Sequence, residues 1–250
     1  ARAAHMARRG ADFGVMIDSF RIDWGRVSQR VIDIIENTSQ GTEQWMRGLD
    51  GVDVYPVYAR FEGMADGLYQ VRMGDDVVAA PRVFLNTGTR ARVPAIEGIE
   101  TVNWLDSEKA LRLDRLPEHL IILGGSYIGL EMGQAFRRLG SQVTVIETSE
   151  CPIAREDEDI KHVVHQFLTD EGIDLHTSSN LSKVEPTADS GIRATIRNEV
   201  TGTETVVTGS HWLNAIGRVP NTDQLNLESV GVEVDKRGFV VVNPYLETTA

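Results

Sequence analysis

The stretch "HLIILGGSYIGLEMGQAFRRLGSQVTVIE", residues 119 to 147, restricts the fold of this chain more than any other. "HLIILG" is a continuous apolar run, as expected of a parallel strand covered on both faces. A glycine turn follows. Ile128, Met132, Ala135, Phe136 and Leu139 then recur at helical spacing along one face. Gly140 stops that helix, and "QVTVIE" is a second strand ending on an acid. Residues 155–172, "REDEDIKHVVHQFLTDEG", predict a second helix with Ile160, Val163, Val164, Phe167 and Leu168 as its apolar stripe. Its acidic first turn suits the helix dipole. "IDLHTS" is a third strand, so 119–178 reads β-α-β-α-β, half of a doubly wound sheet.

A strand that feeds a helix through a glycine turn aims free backbone amides and the positive helix end at one point, where a pyrophosphate fits. Gly124 permits the tight turn and Gly129 the close packing of helix on strand. The middle glycine of the usual turn is Ser126 here. A serine is small and its hydroxyl can donate to a phosphate oxygen, so it is tolerated. Glu147, at the end of the second strand, can accept hydrogen bonds from both ribose hydroxyls and repels a 2′-phosphate. Thr148 and Ser149 offer no cation for such a phosphate, which favours NADH over NADPH. Two other readings stay open on these residues alone: a glycine turn used only for packing, and a methyltransferase with the same turn and acid.

The rest of the chain is less specific. Residues 1–10 read as the tail of a helix stopped at Gly10, and 24–49 as a long amphipathic helix carrying Val27, Val31, Ile34 and Ile35. Residues 53–63 read as a strand, "LYQVRM" with "DVVAAPRVFLNTG" as a hairpin plus a further strand, and 182–217 as three short strands. The net charge of −12 argues against nucleic acid or an anionic membrane as partner. No apolar run approaches a membrane span, no signal peptide opens the chain, and the lone Cys151 permits no internal disulfide, so a cytoplasmic location is expected. His162 and His165 lack a third ligand with clear spacing, and the "EDED" run at 156–159 suits a helix start, so no metal site is assigned.

Four segments together resemble the FAD-dependent pyridine nucleotide–disulfide oxidoreductases, in the mercuric reductase and dihydrolipoamide dehydrogenase branch. They are "ARAAHMARRGADFGV", "FLNTGTRARVPAIEG", "IILGGSYIGLE" and "NAIGRVPNTDQLNLESVGVEVDKRGFVVVNPYLETT". The resemblance implies an α/β architecture: a doubly wound, Rossmann-like NAD(P)H-binding domain with a three-stranded β-meander, 117–216, inserted in an incomplete FAD-binding domain of the same type. Residues 1–116 would be the partial flavin domain and 217–250 its return segment.

The resemblance further implies that Thr87 and Gly88 lie near FAD. Gly124, Gly125, Ser126, Ile128 and Gly129 would form the pyrophosphate turn, with Glu147 on the ribose. Tyr127 would cover the flavin and swing aside for nicotinamide, with Glu131 near its carboxamide. Ala215, Ile216 and Gly217 would border the nicotinamide ribose, and Arg218 the domain hinge. The family's first glycine fingerprint, its redox-active cysteine pair, its Gly-Asp flavin segment and its His-Glu dimerisation region have no counterpart in these residues. An internal piece of a longer, homodimeric enzyme is therefore expected, with no catalytic residue assignable here. The parent would pass electrons from NADH through FAD to a disulfide or mercuric ion. The alternatives are a non-catalytic dinucleotide-binding redox sensor, and a flavin oxidoreductase with another acceptor.

Overall fold

The computed structural model describes all 250 residues. Its helices are α1 (Arg2–Arg8), α2 (Trp24–Arg47), α3 (Ser107–Leu111), α4 (Tyr127–Leu139) and α5 (Glu158–Asp170). Its strands run β1 (Ala59–Ala65), β2 (Leu68–Met73), β3 (Asp76–Ala80), β4 (Thr89–Ala91), β5 (His119–Leu123), β6 (Gln142–Ile146) and β7 (Asp174–His176). They continue with β8 (Ser179–Pro186), β9 (Ile192–Asn198), β10 (Glu204–Gly209), β11 (His211–Asn214) and β12 (Arg218–Pro220). The chain divides into two compact units, 1–37 with 93–217, and 38–92 with 218–250.

The first unit is built on a parallel sheet of order β11-β5-β6-β7. β5 sits inside this sheet, and Leu120, Ile121 and Ile122 are fully buried because both faces are covered. On one face Leu120 and Ile122 pack with Leu130 and Phe136 of α4 and Leu168 of α5. Trp24 of α2 adds its ring to Phe136 at 5.8 Å. On the other face Ile121, Leu123 and Trp212 pack against Leu181, Ile192, Ala194 and Ile196 of the antiparallel meander β10-β9-β8. Along β9 the apolar residues Ile192, Ala194 and Ile196 alternate with Arg193, Thr195 and Arg197, so its buried face is written in period two. This is the α/β, Rossmann-like fold with its small meander sheet.

α4 is seated on the end of β5 by two glycines. A Cβ on Gly129 would lie 2.0 Å from the carbonyl oxygen of Gly124. Gly124 itself has φ +108°, and a Cβ there would lie 2.6 Å from the carbonyl oxygen of Ala215. Glycine is the one residue that permits both the backbone conformation and the approach of three backbone segments.

The second unit carries the antiparallel sheet β1-β2-β3 and the β12-β4 pair. Its core gathers Phe61, Leu227, Val230 and Val232, with Tyr69 edge-on to Phe61 at 6.1 Å. No helix is long and apolar enough to cross a membrane.

The structure departs from sequence expectation in four places. Residues 182–217 form part of four strands rather than three, because "HWLN" leaves the meander and joins the parallel sheet beside β5. The expected strand at 53–63 starts only at Ala59; Pro56, which has no N–H to give, lies in the irregular stretch before it. Residues 82–88 make no strand ladder, and Phe84 is exposed. On α5 the expected stripe is narrower: Leu168 is buried and Val164 packs beside it, while Ile160, Val163 and Phe167 face outward.

Two outcomes follow for stability. Gly129→Ala forces α4 off β5 and should cost about 1–3 kcal/mol in urea unfolding; an unchanged midpoint would mean the helix can shift freely. Burial pushes the imidazoles of His119 and His211 below their ordinary value of 6.5. For His119 the Thr208 backbone and Asp174 oppose this; for His211 Arg115 reinforces it and Asp114 opposes it. The unfolded chain therefore binds these protons more readily. Their contribution is fully present above the unfolded value and is lost as pH falls through the folded values. Thermal melts from about pH 8 to about pH 5 should show a falling Tm that flattens in His119→Gln. An identical slope in that variant would remove His119 from the cause.

Candidate dinucleotide site

In an open parallel sheet, ligands bind beyond the carboxyl ends of the strands where the strand order reverses. Here β6 and β7 follow β5 to one side and β11 lies on the other, so the reversal falls between β5 and β11. A cavity of about 430 Å³ opens there. Leu123 to Ile128 form its floor, Ile146 to Ser149 and Ile153 to Arg155 one wall, and Ala215 to Gly217 the other.

The turn supplies donors. The first helical bond of α4 runs from the Leu130 N–H to the Ser126 carbonyl at 3.0 Å. The amides before it lack an intrahelical acceptor, and the helix end is positive. Ser126 is the N-cap residue, with extended backbone at φ −97°. Its side chain makes no capping bond and is exposed. The serine is therefore unstrained, and its hydroxyl is available to a ligand.

Glu147 is fixed from behind. Its Oε2 accepts the Gly125 N–H at 2.6 Å, and its Oε1 accepts the Ser149 N–H at 2.8 Å and the Thr148 hydroxyl at 3.3 Å. A carboxylate has about four lone-pair sites, so acceptor capacity remains for a ribose. Gly125 is needed for the same contact: a Cβ there would lie 3.0 Å from the Glu147 Cβ and Oε2. The residues present fit a dinucleotide, with amides for phosphates, a preset acid for a ribose and a backbone cradle no side chain fills.

Of the residues singled out in the sequence, Gly124, Gly125, Ser126, Tyr127, Ile128, Glu147, Ala215, Ile216 and Gly217 line this one cavity. Gly129 is buried behind it in the helix–strand contact. Glu131 is exposed further along α4 and is not on the lining. Thr87 lies in the second unit, where it lines a separate cavity with Arg60, Arg72 and Arg90; Gly88 follows it with φ +66°.

Arg155, Ile153 and Ala154 were not legible as site residues. Arg155 is an exposed guanidinium on the same wall as Glu147. Thr148 and Ser149, which follow Glu147 in sequence, give no sign of it, because the connection after β6 folds back on the turn. The Ile153 N–H donates to the Gly125 carbonyl at 2.8 Å, which brings Arg155 to the cavity. Tyr127 donates its hydroxyl to Glu156 on the same connection.

A family model described as pyridine nucleotide-disulphide oxidoreductase matches residues 7–250. The mercuric reductase of Streptomyces lividans is 40% identical over 188 residues, 74% of this chain and 39% of that protein. The dihydrolipoyl dehydrogenase of Cupriavidus necator is 31% identical over 239 residues, 95% of this chain and 49% of that protein. Among solved structures, the Cu(II) complex of the flavoprotein disulfide reductase RclA from Escherichia coli superposes with a TM-score of 0.83 at 29% identity. That match covers 99% of this chain and 52% of the other. The chain thus spans about half the length, or less, of these relatives. It belongs to the pyridine nucleotide-disulphide oxidoreductase family.

Proposed function

We propose that this chain carries the pyridine-nucleotide site of a flavin-dependent oxidoreductase, and that the site prefers NADH. The observation that carries the reading is the fixed Glu147 carboxylate beside free amides at the strand-order reversal. When bound, the two cofactors supply the redox chemistry, hydride transfer from NAD(P)H to FAD and onward reduction of a disulfide or mercuric ion. The chain's own part is placement. Gly125 gives its amide to Glu147, so the amides of Ser126 to Ile128 take the pyrophosphate, helped by the Ser126 hydroxyl. Glu147 takes the adenosine ribose and disfavours a 2′-phosphate. Ala215 to Gly217 border the nicotinamide ribose, with Tyr127 at the mouth and Glu131 further along α4 toward the carboxamide.

The flavin would lie toward Thr87 and Gly88. In this reading 1–116 and 217–250 contribute the flavin side and 117–216 the nicotinamide side, with 1–37 and 93–116 packed in the same compact unit as the nicotinamide side. The electron acceptor is met by parts of the whole protein beyond these residues. The mercuric reductase relatives favour mercuric ion, and the dihydrolipoyl dehydrogenase and disulfide reductase relatives a disulfide.

Calorimetry tests the cofactor preference. Wild type should bind NADH more tightly than NADPH. Glu147→Ala should weaken NADH by about tenfold, the loss of a charge-assisted hydrogen bond, and NADPH by less. An equal loss for both would mean that the carboxylate does not touch the ribose. Arg155→Ala checks the opposing cation: a selective loss of NADPH would show that Arg155 tempers the discrimination set by Glu147. Loss of NADH alone would place the guanidinium away from any 2′-phosphate.

A further inference from the structure

Ser178 lies in the turn between β7 and β8 with φ +46°, a left-handed conformation that residues other than glycine seldom adopt. In an extended strand successive amides point to opposite edges. Here two successive amides reach one segment. The Ser178 N–H donates to the Ser149 carbonyl at 2.8 Å, and the Ser179 N–H donates to the Glu147 carbonyl at 2.9 Å. The left-handed bend at Ser178 brings both to the same side. The meander holds that bend from behind, because the Glu199 N–H donates to the Ser178 carbonyl at 2.8 Å. Ser179 is buried, and its hydroxyl donates to the Thr177 carbonyl at 2.8 Å.

The segment gripped in this way carries the acid of the dinucleotide cavity. A glutamate side chain has many rotamers, and two amides choose among them for Glu147. Gly125 holds Oε2 at 2.6 Å and Ser149 holds Oε1 at 2.8 Å. The Gly125 amide is placed by the glycine turn. Ser149 lies in the irregular connection between β6, which ends at Ile146, and α5, which begins at Glu158. What ties Ser149 to the meander side is the bond that its carbonyl accepts from Ser178. A continuous chain of hydrogen bonds therefore runs Glu199–Ser178–Ser149–Glu147–Gly125, from the meander to the floor of the cavity.

We propose that Ser178 is a positioning residue for cofactor choice: its left-handed turn pins Ser149, and Ser149 holds the Glu147 carboxylate in place for the adenosine ribose. This rests on the dinucleotide reading above. Without the pin, Glu147 keeps its bond to Gly125 but loses a fixed Oε1. NADH, which uses that carboxylate, then weakens more than NADPH, which does not. The glycine turn is untouched, so the phosphate contacts common to both cofactors remain.

Calorimetry with NADH and NADPH on five proteins tests this: wild type, Ser178→Val, Ser178→Gly, Glu147→Ala, and Glu147→Ala with Ser178→Val. Valine keeps the N–H but resists a positive φ, whereas glycine keeps both the N–H and the turn. Ser178→Val should lower the ratio of NADH to NADPH affinity by about fivefold, the worth of one modest hydrogen bond, and Ser178→Gly should hold it within about twofold of wild type. In the Glu147→Ala background Ser178→Val should not change the ratio, because the group it positions is gone. If circular dichroism shows Ser178→Val unfolded, Ser178→Ala makes the same comparison, with a fall in the ratio of about twofold expected and an unmoved ratio overturning the proposal. An equal loss for both cofactors in Ser178→Val overturns it, as does a ratio that Ser178→Val leaves unmoved or still shifts without Glu147. Wild type that prefers neither cofactor, or a ratio unmoved by Glu147→Ala, sinks the reading of Glu147 and this proposal with it. The expected Glu147→Ala result beside an unmoved Ser178→Val sinks the proposal alone.

Discussion

The approach of helix α4 to the end of strand β5, with Gly129 against the carbonyl of Gly124, is the contact on which the site depends. It sets where the helix begins, and therefore where the amides of Ser126 to Ile128 point. The same Gly124 lets β11 pass, with Ala215 against it, so the second wall is placed by the residue that places the floor. A methyl group at either position would separate segments whose convergence forms the cavity. The apolar burial around Leu120, Ile122, Phe136 and Leu168 supplies the force that holds these backbones together, and the glycines permit the distance.

The electrostatics are local. The chain is strongly acidic, yet the cavity is suited to an anionic ligand. Repulsion from distant surface carboxylates is screened beyond about 8 Å at physiological ionic strength, whereas aimed amides at a helix end act at contact. Within the cavity the charges are few and opposed: Glu147, held by two amides, and Arg155 on the same wall. In the proposed reading, selectivity between the two nicotinamide cofactors would be a balance of these two groups. Glu147 is anchored from behind and Arg155 lies exposed, so the acid has the better-defined position.

Much of this was legible in the sequence. The apolar run of β5, the helical spacing of α4 and the acid closing β6 specify a parallel sheet, its covering helix and the pocket between them. The meander was legible in part. The alternation along β9 shows which face is buried, but "HWLN" is too short to reveal that it changes sheets, because a four-residue strand with two apolar residues is satisfied in either. Ile160, Val163 and Phe167 have helical spacing yet face outward, since periodicity reports which residues share a helix face and not how much of that face the neighbours cover. In the sequence Glu156 belongs to the acidic run 156–159 at a helix start, and Arg155 only opens the predicted helix 155–172. Their nearness to the turn comes from the left-handed Ile153, and a positive φ at an isoleucine leaves no mark in sequence pattern.

The most direct measurement is a crystal structure of the chain with NADH bound. The account requires phosphate oxygens within about 3 Å of the amides of Ser126 to Ile128 and a ribose hydroxyl on Glu147. Nicotinamide would then lie toward Ala215 to Gly217. A dinucleotide lodged elsewhere, or one whose phosphates avoid that turn, would contradict it.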